Sequence, residues 1–132
     1  EDLDKVVYRM IDPRQYAGLR VLVVGGGDSA LEAAATLAEE TDAAVTLIHR
    51  GPAFVRAKPK NRDRVAAAQE SGRLKVHMET EVAAIEPDSV VLTRGGRKGR
   101  IGNDAVIVCL GGVLPTPFLK EIGVEIETRY GV

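Results

Sequence analysis

Hydrophobic and polar positions divide this chain into short apolar runs separated by glycine and proline breaks. Residues 1–19 are polar and mixed, broken at Asp12-Pro13 and Gly18, with a short strand or turn expected around 6–11. Residues 20–24 end in VLVV, an unalternated apolar run that suits a strand buried on both faces. Gly25-Gly26-Gly27 follows, and then residues 28–40, rich in alanine and leucine, predict a helix. Ala30, Leu31, Ala34, Leu37 and Ala38 give it one apolar face. At its start Ser29 and Glu32 have capping-box spacing, with Asp28 as a competing N-cap. A second strand is expected over 43–48. Gly51-Pro52 and Lys58-Pro59 make 49–60 a loop, and Gly72 closes a second helix over 61–71.

A third strand is expected over 74–78. Segments 80–86 and 89–94 meet across Pro87-Asp88, and Arg94-Gly95-Gly96-Arg97 turns the chain into 98–101, which together predict an antiparallel meander. Residues 104–110 form a last buried strand, followed by Gly111-Gly112, a segment with Pro115 and Pro117, and a helical turn over 118–122. Strand-helix-strand-helix-strand with right-handed crossovers predicts a parallel sheet flanked by helices, and the meander supplies a separate antiparallel layer. No internal repeat or low-complexity tract interrupts this order.

Composition narrows the function. The chain has 132 residues, enough for one domain and hardly two, and 45% hydrophobic with 28% charged residues argues for a folded globule. A net charge of −1 gives no basic field for nucleic acid. The lone Cys109 excludes an internal disulfide and a cysteine-cluster metal site, and it is expected to be a buried, inert thiol in its apolar strand. His49 and His77 lack paired ligands, so no metal site is expected, and His77 is read as structural. No apolar run reaches the ~20 residues of a membrane helix, and no signal peptide opens the chain, so the default compartment is the cytoplasm. Ser29 has no histidine partner nearby, which removes a hydrolase triad.

The informative stretch is Gly25-x-Gly27-x-x-Ala30, set between a predicted strand and a predicted helix. Gly25 permits the sharp turn out of the strand, Gly27 lets a pyrophosphate approach the backbone, and a small residue at 30 lets the helix pack close. The helix N-terminus offers N–H groups and partial positive charge to phosphates. The bland alternative is a tight turn with no ligand. Asp28 and Ser29 either meet the pyrophosphate or its waters or simply cap the helix. An NAD site usually carries an acidic residue about 20 residues past the glycines. This chain has His49-Arg50 there, with Arg56, Lys58, Lys60, Arg62 and Arg64 following. A guanidinium binds a 2′-phosphate that a carboxylate would repel, which favours NADP(H). Arg50 is assigned that contact; Lys60, Arg62 and Arg64 are assigned to a solvated basic face. His49 is read either as a ribose or adenine contact or as a strand-end residue. Gly111 and Gly112, at the face where open α/β sheets bind ligands, are expected to line the nicotinamide ribose.

With these residues the chain resembles the NADPH-binding domain of the thioredoxin-reductase-like flavoproteins, in the pyridine-nucleotide disulfide oxidoreductase superfamily. Gly25, Gly27 and Ala30, then His49, Arg50 and Arg56, then Gly112-Val113-Leu114-Pro115 match the family's elements in order. The resemblance implies an α/β fold: a three-layer ββα FAD/NAD(P)-binding, Rossmann-like domain with a parallel sheet plus an antiparallel meander. It places an entry segment at 1–19, the NAD(P)H-binding domain at 20–117, and a C-terminal segment at 118–132 returning toward a FAD domain. It implies hydride delivery from NADPH to FAD for reduction of an unknown acceptor, with no catalytic side chain at that step.

Three departures shape the expectation. Gly51 stands where the family has a second arginine and Arg56 comes one residue late, so Lys58 is expected to join the 2′-phosphate clamp. The family's C-x-x-C is missing from the corresponding YRMI at 8–11, which makes the chain resemble members without the dithiol, such as ferredoxin–NADP reductases of the thioredoxin-reductase type and bacillithiol-disulfide-reductase-like proteins. Only one glycine fingerprint is present, so FAD belongs to the full-length protein, and the isolated domain is expected to bind NADP(H) without turning over. Its expected partners are that FAD domain and the acceptor; a homodimer of the full-length protein is compatible with the reading. The competing class is a nucleotide-sensing regulatory Rossmann module, which commonly has an acidic end to strand two.

Overall fold

A computed structural model describes residues 5–8, 12–54 and 57–109. Its strands are β1 (Val6–Val7), β2 (Arg20–Val24), β3 (Ala44–Ile48), β4 (Leu74–His77), β5 (Glu81–Glu86), β6 (Ser89–Arg94), β7 (Arg97–Gly102) and β8 (Ala105–Val108). Its helices are α1 (Asp28–Glu40) and α2 (Pro59–Glu70), with a 3-10 turn at Pro13–Tyr16. Five strands form a parallel sheet in the order β1-β8-β2-β3-β4, and β5-β6-β7 form a separate antiparallel sheet. The last strand among the described residues, β8, therefore lies between β1 and β2. Val21 to Val24 lie beside 105 to 108 on one side and 45 to 48 on the other.

Alternation along β2 builds the three layers. Val21 and Val23 join α1 and α2 side chains in one core with Val45, Leu47, Leu74 and Ile107. Leu22 and Val24 face the opposite way and join Ile48, Val106 and Val108 against Val82, Val90 and Leu92 of the meander. The continuous apolar run is thus shared between helices on one side and a second sheet on the other. All five residues assigned to the apolar face of α1 are buried, together with Ala33 and Ala35.

The helix α2 starts at Pro59, two residues before the expected 61, because proline suits the first helical position and needs no amide partner there. Gly72 closes the helix region at φ +81, and Gly95 and Gly96 at φ +57 and +82 make the β6–β7 turn, where paired positive φ angles match the twist of a hairpin. Arg20 and Asp104 tie the start of β2 to the entry of β8: the Asp104 carboxylate accepts from the Arg20 amide at 2.8 Å and from its guanidinium at 3.0 Å on each oxygen. Among the described residues no helix is long and apolar enough to cross a membrane.

Candidate functional site

The carboxyl ends of the parallel strands converge on the glycine turn. The Gly25 amide donates to the Ile48 carbonyl at 3.0 Å, and the Cys109 amide donates to the Val24 carbonyl at 2.9 Å. Gly25 sits at φ +143, and a Cβ there would strike the Cys109 carbonyl oxygen and lie 3.1 Å from the Ala30 methyl. Its glycine is therefore required twice, by conformation and by the backbone of β8. Ala30 is fully buried beneath it, so its small side chain serves the close strand–helix contact. Around Gly27 a Cβ would meet nothing within 4 Å. That open face lies at the N-cap of α1, whose first turn carries amides with no side-chain cap.

The expected capping box is not formed. Gly27 is the N-cap, Asp28 is the first helical residue, and no side chain caps the end. The Asp28 carboxylate is instead spent on the other helix: Oδ1 accepts the Lys58 amide at 2.8 Å and the Asn61 Nδ2 at 2.8 Å. Lys58 is the N-cap of α2 and supplies no side-chain cap of its own, so Asp28 of α1 places an anion at the positive end of α2. The Lys58 amide, then Asn61, holds the Asp28 carboxyl below the usual carboxylate range. Asn61 is 1% exposed and also donates to Glu32 at 3.3 Å, while its Oδ1 has no partner among the described residues. Two helix N-termini thus meet near the glycine turn, with the carboxylate committed to α2 and α1 left open.

His49, at the end of β3, fills the space over Gly26. A Cβ at Gly26 would collide with the imidazole, and one at Gly51 would come within 2.9 Å of its Nε2. The ring stacks on Phe54 with centroids 5.5 Å apart, and Nε2 lies 3.0 Å from the Ala53 carbonyl. Only Nε2–H can satisfy that carbonyl, so the contact selects this tautomer. The backbone of the same turn is pinned from the end of β4: His49 N–H to the His77 carbonyl at 3.1 Å, Thr80 N–H to the His49 carbonyl at 3.1 Å, and Glu79 N–H to the Gly51 carbonyl at 3.0 Å. Glu79 adopts φ +53, a strained conformation for a non-glycine residue. His77 contributes through that carbonyl, and its own residue is exposed.

Arg50 is exposed directly after this turn and makes no ion pair among the described residues. Lys58 is exposed and tethered through its amide to Asp28, and Ser29 is exposed beside it at the start of α1. Gly25, Gly27, Asp28, Ser29, Ala30, His49, Arg50 and Lys58 therefore come together at one edge of the sheet. Arg56, Gly111, Gly112 and the segment ending at Pro115 lie outside the described residues. Lys60 and Arg62 are exposed, as expected. Arg64 departs from the solvated face assigned to it: its guanidinium reaches back to α1, bonding Glu39 at 2.8 and 3.1 Å and the Thr36 hydroxyl at 3.2 Å. Three residues on from the buried Asn61, which bonds Asp28 and Glu32, Arg64 lies beside the face of α2 that packs on α1. Cys109 is buried, and burial pushes its thiol up to about 11, which leaves it protonated and unreactive at neutral pH. No cluster of metal-ligating side chains occurs among the described residues.

Sequence reasoning missed Asn61 and the Asp28 bridge to α2. A helix-start asparagine carries no local signal of a partner 33 residues away. The charged Asp28 directly after the glycines was the available hint, since a carboxylate at that turn needs a donor of its own.

Comparison with known proteins agrees with this layout. The chain is 34% identical over 131 residues to a ferredoxin–NADP reductase of Symbiobacterium thermophilum, covering 94% of this chain and 37% of that protein. It is 41% identical over 128 residues to a ferredoxin–NADP reductase of Thermus thermophilus, covering 92% and 38%. Among solved structures, a bacillithiol disulfide reductase from Staphylococcus aureus superposes with a TM-score of 0.80 at 28% identity, covering 92% of this chain and 38% of that one. A thioredoxin reductase from Streptococcus pyogenes superposes at 0.71 with 26% identity over 81% of this chain and 36% of its own. The chain spans less than two fifths of the length of these proteins. Residues 4–132 also match the family model for pyridine nucleotide-disulphide oxidoreductases, so the glycine turn, the parallel sheet and the meander above it are the parts of a shared architecture, and the chain belongs to that family.

Proposed function

We propose that residues 1–132 form the NADPH-binding unit of a flavin-dependent oxidoreductase whose electrons pass to an acceptor outside this chain. The observation that carries the reading is the open face of Gly27 at the N-terminus of α1, which no side chain caps, with an exposed Arg50 that makes no ion pair among the described residues at the same end of the strands. When bound, NADPH supplies a hydride for a flavin held by the rest of the full-length protein. This chain's residues bind and orient. Gly25 and Gly27 bring the backbone up to the pyrophosphate, and the first amides of α1, including that of Ser29, donate to its oxygens. Arg50, with Arg56 and Lys58, takes the 2′-phosphate, and Gly111 and Gly112 line the nicotinamide ribose. The names of the relatives, ferredoxin–NADP reductase and bacillithiol disulfide reductase, support a pyridine-nucleotide reductase, and this chain's single cysteine leaves it no C-x-x-C.

Titration of the intact protein with NADPH and NADH tests this. NADPH is expected to bind more tightly, and Arg50→Ala is expected to weaken NADPH roughly tenfold or more, the worth of a charge-assisted hydrogen bond, while leaving NADH nearly unchanged. Equal affinities in the wild type, or equal losses in the variant, would overturn it.

A further inference from the structure

Asp28 lies within the phosphate turn, yet it has the wrong charge to touch a phosphate. Its carboxylate is turned to α2, accepting the Lys58 amide and Asn61 Nδ2 at 2.8 Å each, and Asn61 is almost completely buried in that contact. The loop between β3 and α2 is therefore held at both ends. The first end is sewn to the last residue of β4 and the segment after it by the three backbone bonds of His49 and Gly51. The second end is held by Asp28 through Lys58. The cations Arg50 and Lys58 hang from those two fixed points, one from each.

We propose that Asp28 is a positioning residue that sets the preference for NADPH over NADH, by capping α2 from the first residue of α1 and so fixing Lys58 beside the glycine turn. The inference rests on the NADPH reading above. A 2′-phosphate is the one part of the nucleotide that gains from a fixed cation on this loop; NADH has a hydroxyl there and gains little. The helix-end charge of α2 is already met by Asp28, which leaves the N-terminus of α1 for the pyrophosphate common to both nucleotides. Loss of Asp28 should therefore touch discrimination rather than general binding.

The test compares dissociation constants for NADPH and NADH in the intact protein carrying Asp28→Ala or Asp28→Asn. Asp28→Ala removes the acceptor and is expected to lower the NADPH preference roughly tenfold, with NADH shifted by less than about threefold. Asp28→Asn keeps an oxygen at the same reach and is expected to retain most of the preference, which separates positioning from charge. If Asp28→Ala does not fold, Asn61→Ala removes one of the two donors and is expected to lower the preference in the same direction. A folded Asp28→Ala, or Asn61→Ala in its place, that keeps the wild-type ratio or loses both nucleotides equally overturns the proposal, as does an Asp28→Asn that loses the preference as fully as Asp28→Ala. A wild-type protein with no NADPH preference overturns the underlying reading instead, so the two failures are told apart by the unmodified protein.

Discussion

Gly26 is the glycine of the turn that no general rule of phosphate binding demands, and the structure gives it a local cause. The imidazole of His49 occupies the space where its Cβ would be. That ring cannot swing away without losing its stack on Phe54 and its bond to the Ala53 carbonyl. Gly26→Ala is therefore expected to destabilise the fold by about 1–3 kcal/mol, the usual cost of overpacking. In a His49→Ala background the three atoms nearest that methyl are gone, so the cost should fall and the double-mutant coupling should exceed about 0.5 kcal/mol. Urea unfolding of the four proteins measures it; additive losses would mean that His49 does not set the identity of residue 26. The pairing also explains why His49 was ambiguous in the sequence. Its position at the strand end was legible, but a ring turned toward its own chain leaves no periodic trace.

At the scale of elements, α1 was legible because everything that defines it is local: a glycine before it, an apolar stripe along it, and helix formers throughout. Its cap was misread because the box of Ser29 and Glu32 is a local pattern, whereas the anion of Asp28 answers a donor on α2. The meander was legible for the same reason as α1, through its turns. The place of β8 between β1 and β2 was not, since hydrophobic runs specify burial and say nothing of neighbour order. What locks these elements together predicts their acid sensitivity. The Arg20 guanidinium, then its amide, holds Asp104 down to about 2, and Arg100, then Ser89, holds Glu86 to about 2 across the meander. Both carboxyls ionise more readily folded than unfolded, so their stabilisation is complete above about pH 4, the ordinary carboxylate range, and drains away as pH falls toward 2. Asp104→Asn with Glu86→Gln should lower stability at neutral pH and flatten its decline between about pH 4 and pH 2. The effect is small for such exposed pairs. A thermal melt series across that range checks it, and an unchanged slope would remove these two pairs from the acid response.

For the whole molecule, the decisive fact is proportion. The chain covers 37–38% of the ferredoxin–NADP reductases it matches, and it contains one glycine fingerprint. The described residues account for that one turn completely: Gly25 is forced by β8, Gly27 is left open, and α1 points its uncapped amides at the opening. No comparable turn remains among them for a second dinucleotide. Under the proposed function the electron-accepting flavin must therefore be held by sequence outside residues 1–132, against the same carboxyl edge of the parallel sheet where the nucleotide enters. The intact protein is then expected to purify with a visible flavin band that NADPH bleaches under anaerobic conditions. Residues 1–132 alone should bind NADPH without oxidising it, because they position a donor and offer it nothing to reduce. Bleaching by NADPH should slow in Arg50→Ala, while bleaching by saturating NADH should not. A colourless intact protein that still prefers NADPH would keep the binding site and refute the reductase, which makes the spectrum of the whole protein a sharper test than any measurement on the domain.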